Sequence, residues 1–339
     1  MLNLITDVDG VLVGNAHDDR LLSGVTAIVF ERPAVASVAV LGGASGGRDL
    51  GCLEPDAIVP TIDAVVLSGG SGFGLDAASG TQAWLREAGR GFVVGPPGHP
   101  VRVPIVPSAI CFDLLNGGDK RWGRYPPYRE LGHAAAASAR AGRFEIGSFG
   151  AGYGASTVNF RGGLGSASAR TSVGHTVGAI VVVNALGSAV VGNGPHFWAA
   201  PLEQAGEFGG LGLPARFGAD QQALAWKGGQ PATTIACVAT DAGLDKAQAK
   251  RLAIAANDGL ARGLRITHAA MDGDTVFAAA TGAMPLGACV RDVIELGAVA
   301  ADCLARAIAR AVFAADVAPV AWSGPPAWRQ RFGGASSGA

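Results

Sequence analysis

Two threonines, Thr233 and Thr234, stand directly ahead of an apolar run in PATTIACVATDAG, residues 231–243. From Ile235 to Ala239 the chain reads as a buried strand, ended by turn chemistry at Asp241 and Gly243. The preceding WKGGQP, residues 226–231, is a loop by its two glycines and its proline. Thr233 thus sits where a loop enters a core strand. Threonine is a good strand former, and that alone would account for it. The chemical alternative is that the peptide bond before Thr233 is cleaved and Thr233 becomes a new N-terminus. A threonine hydroxyl is a poor nucleophile unless a base is held beside it. A freed α-amine, with a pKa of about 7.7 to 8.0, is such a base. In MDGDTVF (271–277), Asp272 and Asp274 can orient that amine and tune its pKa, although alone they read as turn formers before a strand. A tetrahedral intermediate also needs a donor for its oxyanion. Asn184, at the end of an apolar strand pattern, suits that task with the help of a backbone N–H.

Other stretches with chemical potential carry less. DVDGVL (7–12) has the paired aspartates of haloacid-dehalogenase-type phosphatases. That mechanism also requires a lysine and a distal acidic pair holding Mg²⁺. The only lysines are Lys120, Lys227, Lys246 and Lys250, none in such a setting, so the stretch reads as a polar strand-to-turn segment. SGGSGFGLDAASG (68–80) is a glycine-rich turn between a strand and a helix, a geometry that can cradle phosphate. It lacks the P-loop lysine and GxGxxG spacing, so close backbone packing is the better expectation, with a place on a pocket wall still open. The six histidines form no ligand pair, so a metal site is unsupported, and no cofactor is implied. No GxSxG elbow is present.

The elements that must position these residues follow from periodicity. Strands are expected at 24–30, 35–42 and 63–70, followed by a helix at 75–89. Residues 103–114 are apolar and loop-flanked, and 129–140 is an alanine-rich helix. Residues 176–191 read as two strands around a turn at Asn184 to Gly187. A helix is expected at 245–264, with Leu252, Ala255, Ala256, Leu260 and Leu264 on one face. A strand at 274–282 and a long helix at 293–315 complete the pattern. Strands and helices mix without strict alternation, which points to an α+β protein of packed sheets with helices outside.

The bulk composition agrees. Of 339 residues, 49% are hydrophobic and 16% charged, which describes a large core and little spare charged surface. The net charge of −1 supplies no attraction for nucleic acid or an anionic membrane, and no apolar run has membrane-spanning length without a break. Five widely spaced cysteines read as reduced core residues of a cytoplasmic protein, and the first ten residues do not resemble a signal peptide. Residues 1–320 are expected to form a single domain, and 321–339 a mostly loose tail.

Eight ordered stretches resemble the DmpA-type aminopeptidases, a group of self-cleaving N-terminal-nucleophile hydrolases that includes the nylon-oligomer endohydrolases. They are ITDVDGV (5–11), LSGGSGFGLDAASG (67–80), VPIVPSAICFDL (103–114), GSFGAGYGAS (147–156), RGGLGSAS (161–168), VGAIVVVNALG (177–187), TTIACVATDAGL (233–244) and MDGDTVFAAATG (271–282). The resemblance implies a four-layer αββα sandwich and an inactive precursor that cuts itself at Ala232–Thr233, giving chains 1–232 and 233–339. It implies Thr233 as nucleophile, its freed amine as base, Asn184 at the oxyanion, and Asp272 and Asp274 holding the nucleophile and its amine. It also implies a small peptide or amide substrate and a homo-oligomer, with a tetramer of processed heterodimers favoured.

Three departures from the family pattern stand out. Ala232 replaces the Asn or Gly often found before the nucleophile. Relatives place a lysine between the GAGYGAS-like and GGLGSAS-like stretches, where this chain has Asn159 and Arg161. Arginine cannot serve as a base, although it can lend charge to an oxyanion. Phe112 stands where some members carry Tyr, removing one donor from the expected pocket. Two rival readings keep the same fold: an acyltransferase resembling ornithine acetyltransferase, which also matures at an Ala–Thr bond, and a non-catalytic oligomeric binding protein.

Overall fold

The computed structural model describes residues 1–333. In chain order the elements are β1 (Val11–Asp18), β2 (Ser23–Val40), β3 (Gly47–Arg48), β4 (Ile62–Ser68), α1 (Asp76–Glu87), β5 (Phe92–Val94), β6 (Val101–Val103), β7 (Ser108–Ile110) and α2 (Tyr128–Ala137). Then come β8 (Gly163–Arg170), β9 (Thr176–Asn184), α3 (Ala219–Gln222), β10 (Thr233–Ala242), α4 (Lys246–Ala256), α5 (Asp258–Gly263), β11 (Thr275–Met284), α6 (Val290–Phe313) and α7 (Trp328–Phe332).

The hydrogen-bonded path runs β3-β7-β4-β2-β11-β10-β9-β8, with β1 paired to β2. The long β2 joins two sheets. Its first half pairs with β1 and β4, its second half with β11. Glu31, Arg32 and Pro33 are exposed between the halves, and the register against β4 shifts between Val29 and Ala34. The two strands expected at 24–30 and 35–42 are therefore one strand that changes sheet, because an extended backbone accommodates proline where no ladder N–H is needed.

Alternation along β10 shows the layers. Ile235, Cys237 and Ala239 point into a core shared by both sheets, with Phe30, Leu67, Val182 and Phe277. Ala236, Val238 and Ala242 point the other way, into a core with Leu252, Leu260, Leu304 and Ile308 of α4, α5 and α6. A third core lies between the first sheet and α1 and α2, through Val25, Val66, Ala78 and Ala135. The result is helix, sheet, sheet, helix: the αββα sandwich.

Several elements depart from the periodicity reading. The expected helix at 245–264 breaks at Asn257, whose side-chain amide donates back to the Ala253 carbonyl at 2.8 Å and competes with the helical ladder. Of the two strands expected in 176–191, only β9 forms; residues 188–190 make isolated bridges to Arg265 and Phe197. β1 and β8 carried no strand expectation. GLGSASAR is poor in β-formers because α6 lies against it: a Cβ on Gly165 would come within 1.9 Å of the Ala307 carbonyl.

Within 321–333, most residues are exposed, but Ala327 and Trp328 are buried. Trp328 is buried in the α6 core, and Trp322 stacks under the Arg161 guanidinium, 4.7 Å from its ring centre. The rest of the expected tail, 334–339, lies outside the described residues. Cys111, Cys237 and Cys303 are buried and free, whereas Cys52 is half-buried and Cys289 exposed. Among the described residues, no helix is long and apolar enough to cross a membrane.

Candidate active site

Register brings the chemistry together. Thr233, the first residue of β10, lies directly opposite Asn184, the last residue of the antiparallel β9. On its other side β10 runs parallel to β11, and Ala232 bridges Asp272 in the turn before β11. Asn184, Ala232, Thr233, Asp272 and Asp274 are all buried. The Thr233 hydroxyl donates a short hydrogen bond to the carbonyl oxygen of Ala232, across the peptide bond that joins the two residues.

Each carboxylate has a separate task. Asp274 accepts the Thr234 N–H at 3.1 Å and the His268 N–H at 2.7 Å. The His268 ring nitrogen Nδ1 lies 2.9 Å from Asp274 Oδ2 but without hydrogen-bond alignment, since it counts no bonded partner. His268 holds a left-handed backbone, φ 56°, and so does Ile266, φ 77°; such strain is kept only where surroundings over-determine it. Asp272 accepts the Gly273 N–H at 3.1 Å, and its carboxyl lies within hydrogen-bonding reach of the Asp274 carboxyl. Burial first, and then the charge of Asp274, push Asp272 up to about 8. Close backbone approach seals the site. A Cβ on Gly273 would sit 2.6 Å from Thr233 Oγ1, and one on Gly42 would sit 2.3 Å from the Asp274 nitrogen.

Asn184 is held by three groups. Its Oδ1 accepts the Ser156 N–H at 3.0 Å and the Lys227 ammonium at 3.1 Å, and its Nδ2 donates to the Phe112 carbonyl at 2.8 Å. Both donors on one atom fix which end of the amide is oxygen. Lys227 also donates to the Asn184 main-chain carbonyl at 3.3 Å. The residue is partly buried, and the desolvation of its amine pushes it down to about 8 against the opposing pull of Cys111 and Asp272.

Lys227 is the side chain at this site that the sequence reading passed over. Its loop was recognised, but the residue was weighed only for phosphatase chemistry. Two signals were available: lysine is rare in this chain, and this one stands six residues before Thr233. Asn159 and Arg161, by contrast, do not reach the site. Asn159 accepts hydroxyl bonds from Thr157 and Ser188 and donates to the Gly192 carbonyl. Arg161 donates to the carbonyls of Tyr153, Asp316 and Val317, fastening the chain near 316–326. Neither side chain bonds to Thr233, Asn184, Asp272 or Asp274: Asn159 is held by two hydroxyls and the Gly192 carbonyl, and Arg161 by three main-chain carbonyls, with its Nε buried and unpartnered.

A cavity of 520 Å³ opens beside Asn184. Phe112 lines it, as do Asp113, Ser156 and Pro325, and the loop before Thr233 forms one wall through Trp226, Lys227 and Pro231. The glycine-rich turn at 68–74 supports this wall from behind. Asp113 accepts the Gly70 N–H at 2.7 Å and the Ser23 hydroxyl at 2.6 Å, and a Cβ on Gly69 or Gly70 would strike Asp113 or Tyr128. Those glycines serve close packing. Among the described residues no cluster of three or more His, Cys, Asp or Glu could hold a metal ion.

Comparison with known proteins gives a consistent picture. The family model described as Peptidase family S58 matches residues 3–321. An uncharacterized aminopeptidase of Mycobacterium tuberculosis is 40% identical, over 98% of this chain and 99% of that protein. A 6-aminohexanoate-oligomer endohydrolase of Paenarthrobacter ureafaciens is 27% identical, over 90% of this chain and 84% of that one. Among solved structures, a Burkholderia sp. beta-aminopeptidase superposes with a TM-score of 0.71 at 23% identity, covering 100% of this chain and 96% of that one. The L-aminopeptidase D-Ala-esterase/amidase of Ochrobactrum anthropi, described as a variant of the Ntn hydrolase fold, gives 0.67 at 22% identity, covering 98% and 94%. These two likenesses establish the fold.

Proposed function

The chain belongs to peptidase family S58 and is a hydrolase of peptide or amide bonds; from that premise we propose that it cuts its own Ala232–Thr233 bond and then uses Thr233 as the N-terminal nucleophile of an aminopeptidase or amidase. The observation that carries this reading is the hydrogen bond from the Thr233 hydroxyl to the Ala232 carbonyl, which places the hydroxyl against the peptide to be cut.

In the first step Thr233 Oγ adds to the Ala232 carbonyl carbon. The carbon–nitrogen bond breaks and the proton leaves oxygen for nitrogen, giving an ester on Thr233 and a free α-amine. Water then hydrolyses the ester, releasing the Ala232 carboxylate and restoring the hydroxyl. In turnover the α-amine takes the hydroxyl proton while Oγ attacks the substrate carbonyl. The same proton passes to the departing amine, and water hydrolyses the acyl ester. Asn184, opposite Thr233, is assigned the oxyanion. Asp274 holds the strand through the Thr234 N–H, and Asp272, bridged to Ala232 and paired with Asp274, is assigned to orient the new amine. The cavity beside Asn184 suits short peptides, amino-acid amides or oligoamides of the nylon type, in keeping with relatives named as an aminopeptidase and a 6-aminohexanoate-oligomer endohydrolase.

Intact mass and N-terminal sequencing test the reading. Chains of 232 and 107 residues are expected, the second beginning Thr233-Thr234-Ile235, and Thr233→Ala should remain whole. A wild-type chain that stays uncut after long incubation would sink the proposal. Cut protein that acetylates ornithine but releases no amine from amides would move it to an acyltransferase.

A further inference from the structure

Resting on the self-cleavage reading above, we propose that Lys227 is a positioning residue used once: it clamps Asn184 while Ala232–Thr233 is cut, and then leaves the site with the 226–232 segment, opening the cavity.

The clamp is visible. Lys227 reaches across from the loop before the scissile bond and donates to both the side-chain and main-chain oxygens of Asn184. A cation on Oδ1 draws electron density from the amide and sharpens its Nδ2 donors, which face the Phe112 carbonyl in the uncut chain. Lys227 therefore acts through Asn184 rather than on the reacting atoms. It supplies to this centre the ammonium that Asn159 and Arg161 do not bring.

The departure follows from connectivity and charge. After cleavage Lys227 lies five residues from a new carboxyl terminus. The intervening loop has little to hold it. Gly228 and Gly229 are exposed with left-handed backbones, φ 56° and 78°. Its main-chain anchors are the Lys227 N–H on the Leu186 carbonyl at 3.1 Å and the Ala232 N–H on the Met271 carbonyl at 3.3 Å. Ala232 is 1% exposed and bridges Asp272. Cleavage thus creates a carboxylate inside a site that already buries the carboxyl groups of Asp272 and Asp274. The third carboxylate shares the Lys227 amine, the Thr233 α-amine freed by the same cut and the His268 ring with the two aspartates already there. Water is the favoured surrounding for it, and the segment that forms the cavity wall is drawn out with it.

Two measurements on the full chain decide the matter. Lysine acylation at pH 8, mapped by mass spectrometry with Lys250 as the internal reference, compares uncut Thr233→Ala with cut wild type. Lys227 should label at least tenfold faster after cleavage. Equal protection in both forms overturns the departure. The second is the rate of cut-chain formation. Lys227→Met should slow it at least tenfold, and Lys227→Arg should recover part of that loss by restoring a charged donor. Cleavage of Lys227→Met at the wild-type rate overturns the clamp. If Lys227→Met does not fold, the Arg variant and the labelling decide alone: an Arg variant as slow as an unfolded control, with protected Lys227 in cut wild type, ends the proposal. A wild type that never cuts overturns the self-cleavage reading as well, so the two failures are distinct.

Discussion

At the scale of residues, the site pairs a buried acid and a partly buried amine whose charged forms are both disfavoured. The linkage has opposite signs for the two. Asp272, raised to about 8, holds a proton in the folded state that the unfolded chain has released above about pH 4. Its contribution to stability therefore falls as pH rises from about 4 to about 8. Lys227, lowered to about 8, is neutral when folded and charged when unfolded between about pH 8 and 10.5, so its contribution rises with pH in that window. Uncut Thr233→Ala should accordingly show weaker stability near pH 8 than these two groups permit on either side. Adding Asp272→Asn removes the acid-side slope, so the melting temperature of the double variant should gain on its parent between pH 5 and pH 8. A parallel pair of melting curves over that range would contradict the raised acid. Thr233, Asn184, Asp272 and Asp274 could be picked out by type and neighbourhood because each sits at a strand end marked by turn residues. Lys227 could not, since its target is 43 residues away and only the fold joins them.

At the scale of elements, closeness rather than hydrophobic bulk sets the architecture. α6 lies on β8 and β9 because Gly163 and Gly165 present no Cβ to the Ala311 and Ala307 carbonyls. Gly165→Val should cost about 1–3 kcal/mol by forcing the helix outward, measured as a lower denaturation midpoint with the cut chains still formed. Gly72→Ala, where a new Cβ meets nothing within 4 Å, is the matched control and should leave the midpoint unchanged. The same closeness explains why β8 escaped periodicity: its alternation is between small residues, and hydropathy barely distinguishes them. The split of the 245–264 helix escaped for a different reason. Asn257 fits a helix by position, and only its back-bond to Ala253 ends one there.

At the scale of the molecule, the proposed cut would divide the sheet without dividing the fold. After cleavage β10 and β11 belong to the small chain, yet β10 stays hydrogen-bonded to β9 and β11 to β2, both from the large chain. All ten residues of β10 are buried. The two chains should therefore co-elute in native size exclusion as one species and separate only in denaturant. Elution of a free 107-residue chain under native conditions would show that the layers do not hold them together.

The sequence by itself determined the αββα layering, the strand ends that carry Thr233, Asn184 and the Asp272–Asp274 pair, and the membership of the family, because each is written in local pattern and in ordered motifs along the chain. Tertiary structure alone decided that β2 serves both sheets, that Lys227 rather than Arg161 or Asn159 reaches Asn184, and that Trp328 anchors the C-terminal segment in the α6 core. Those outcomes depend on which polar atoms find partners and how closely backbones approach. Both are properties of contacts between distant segments, to which spacing along the chain is blind.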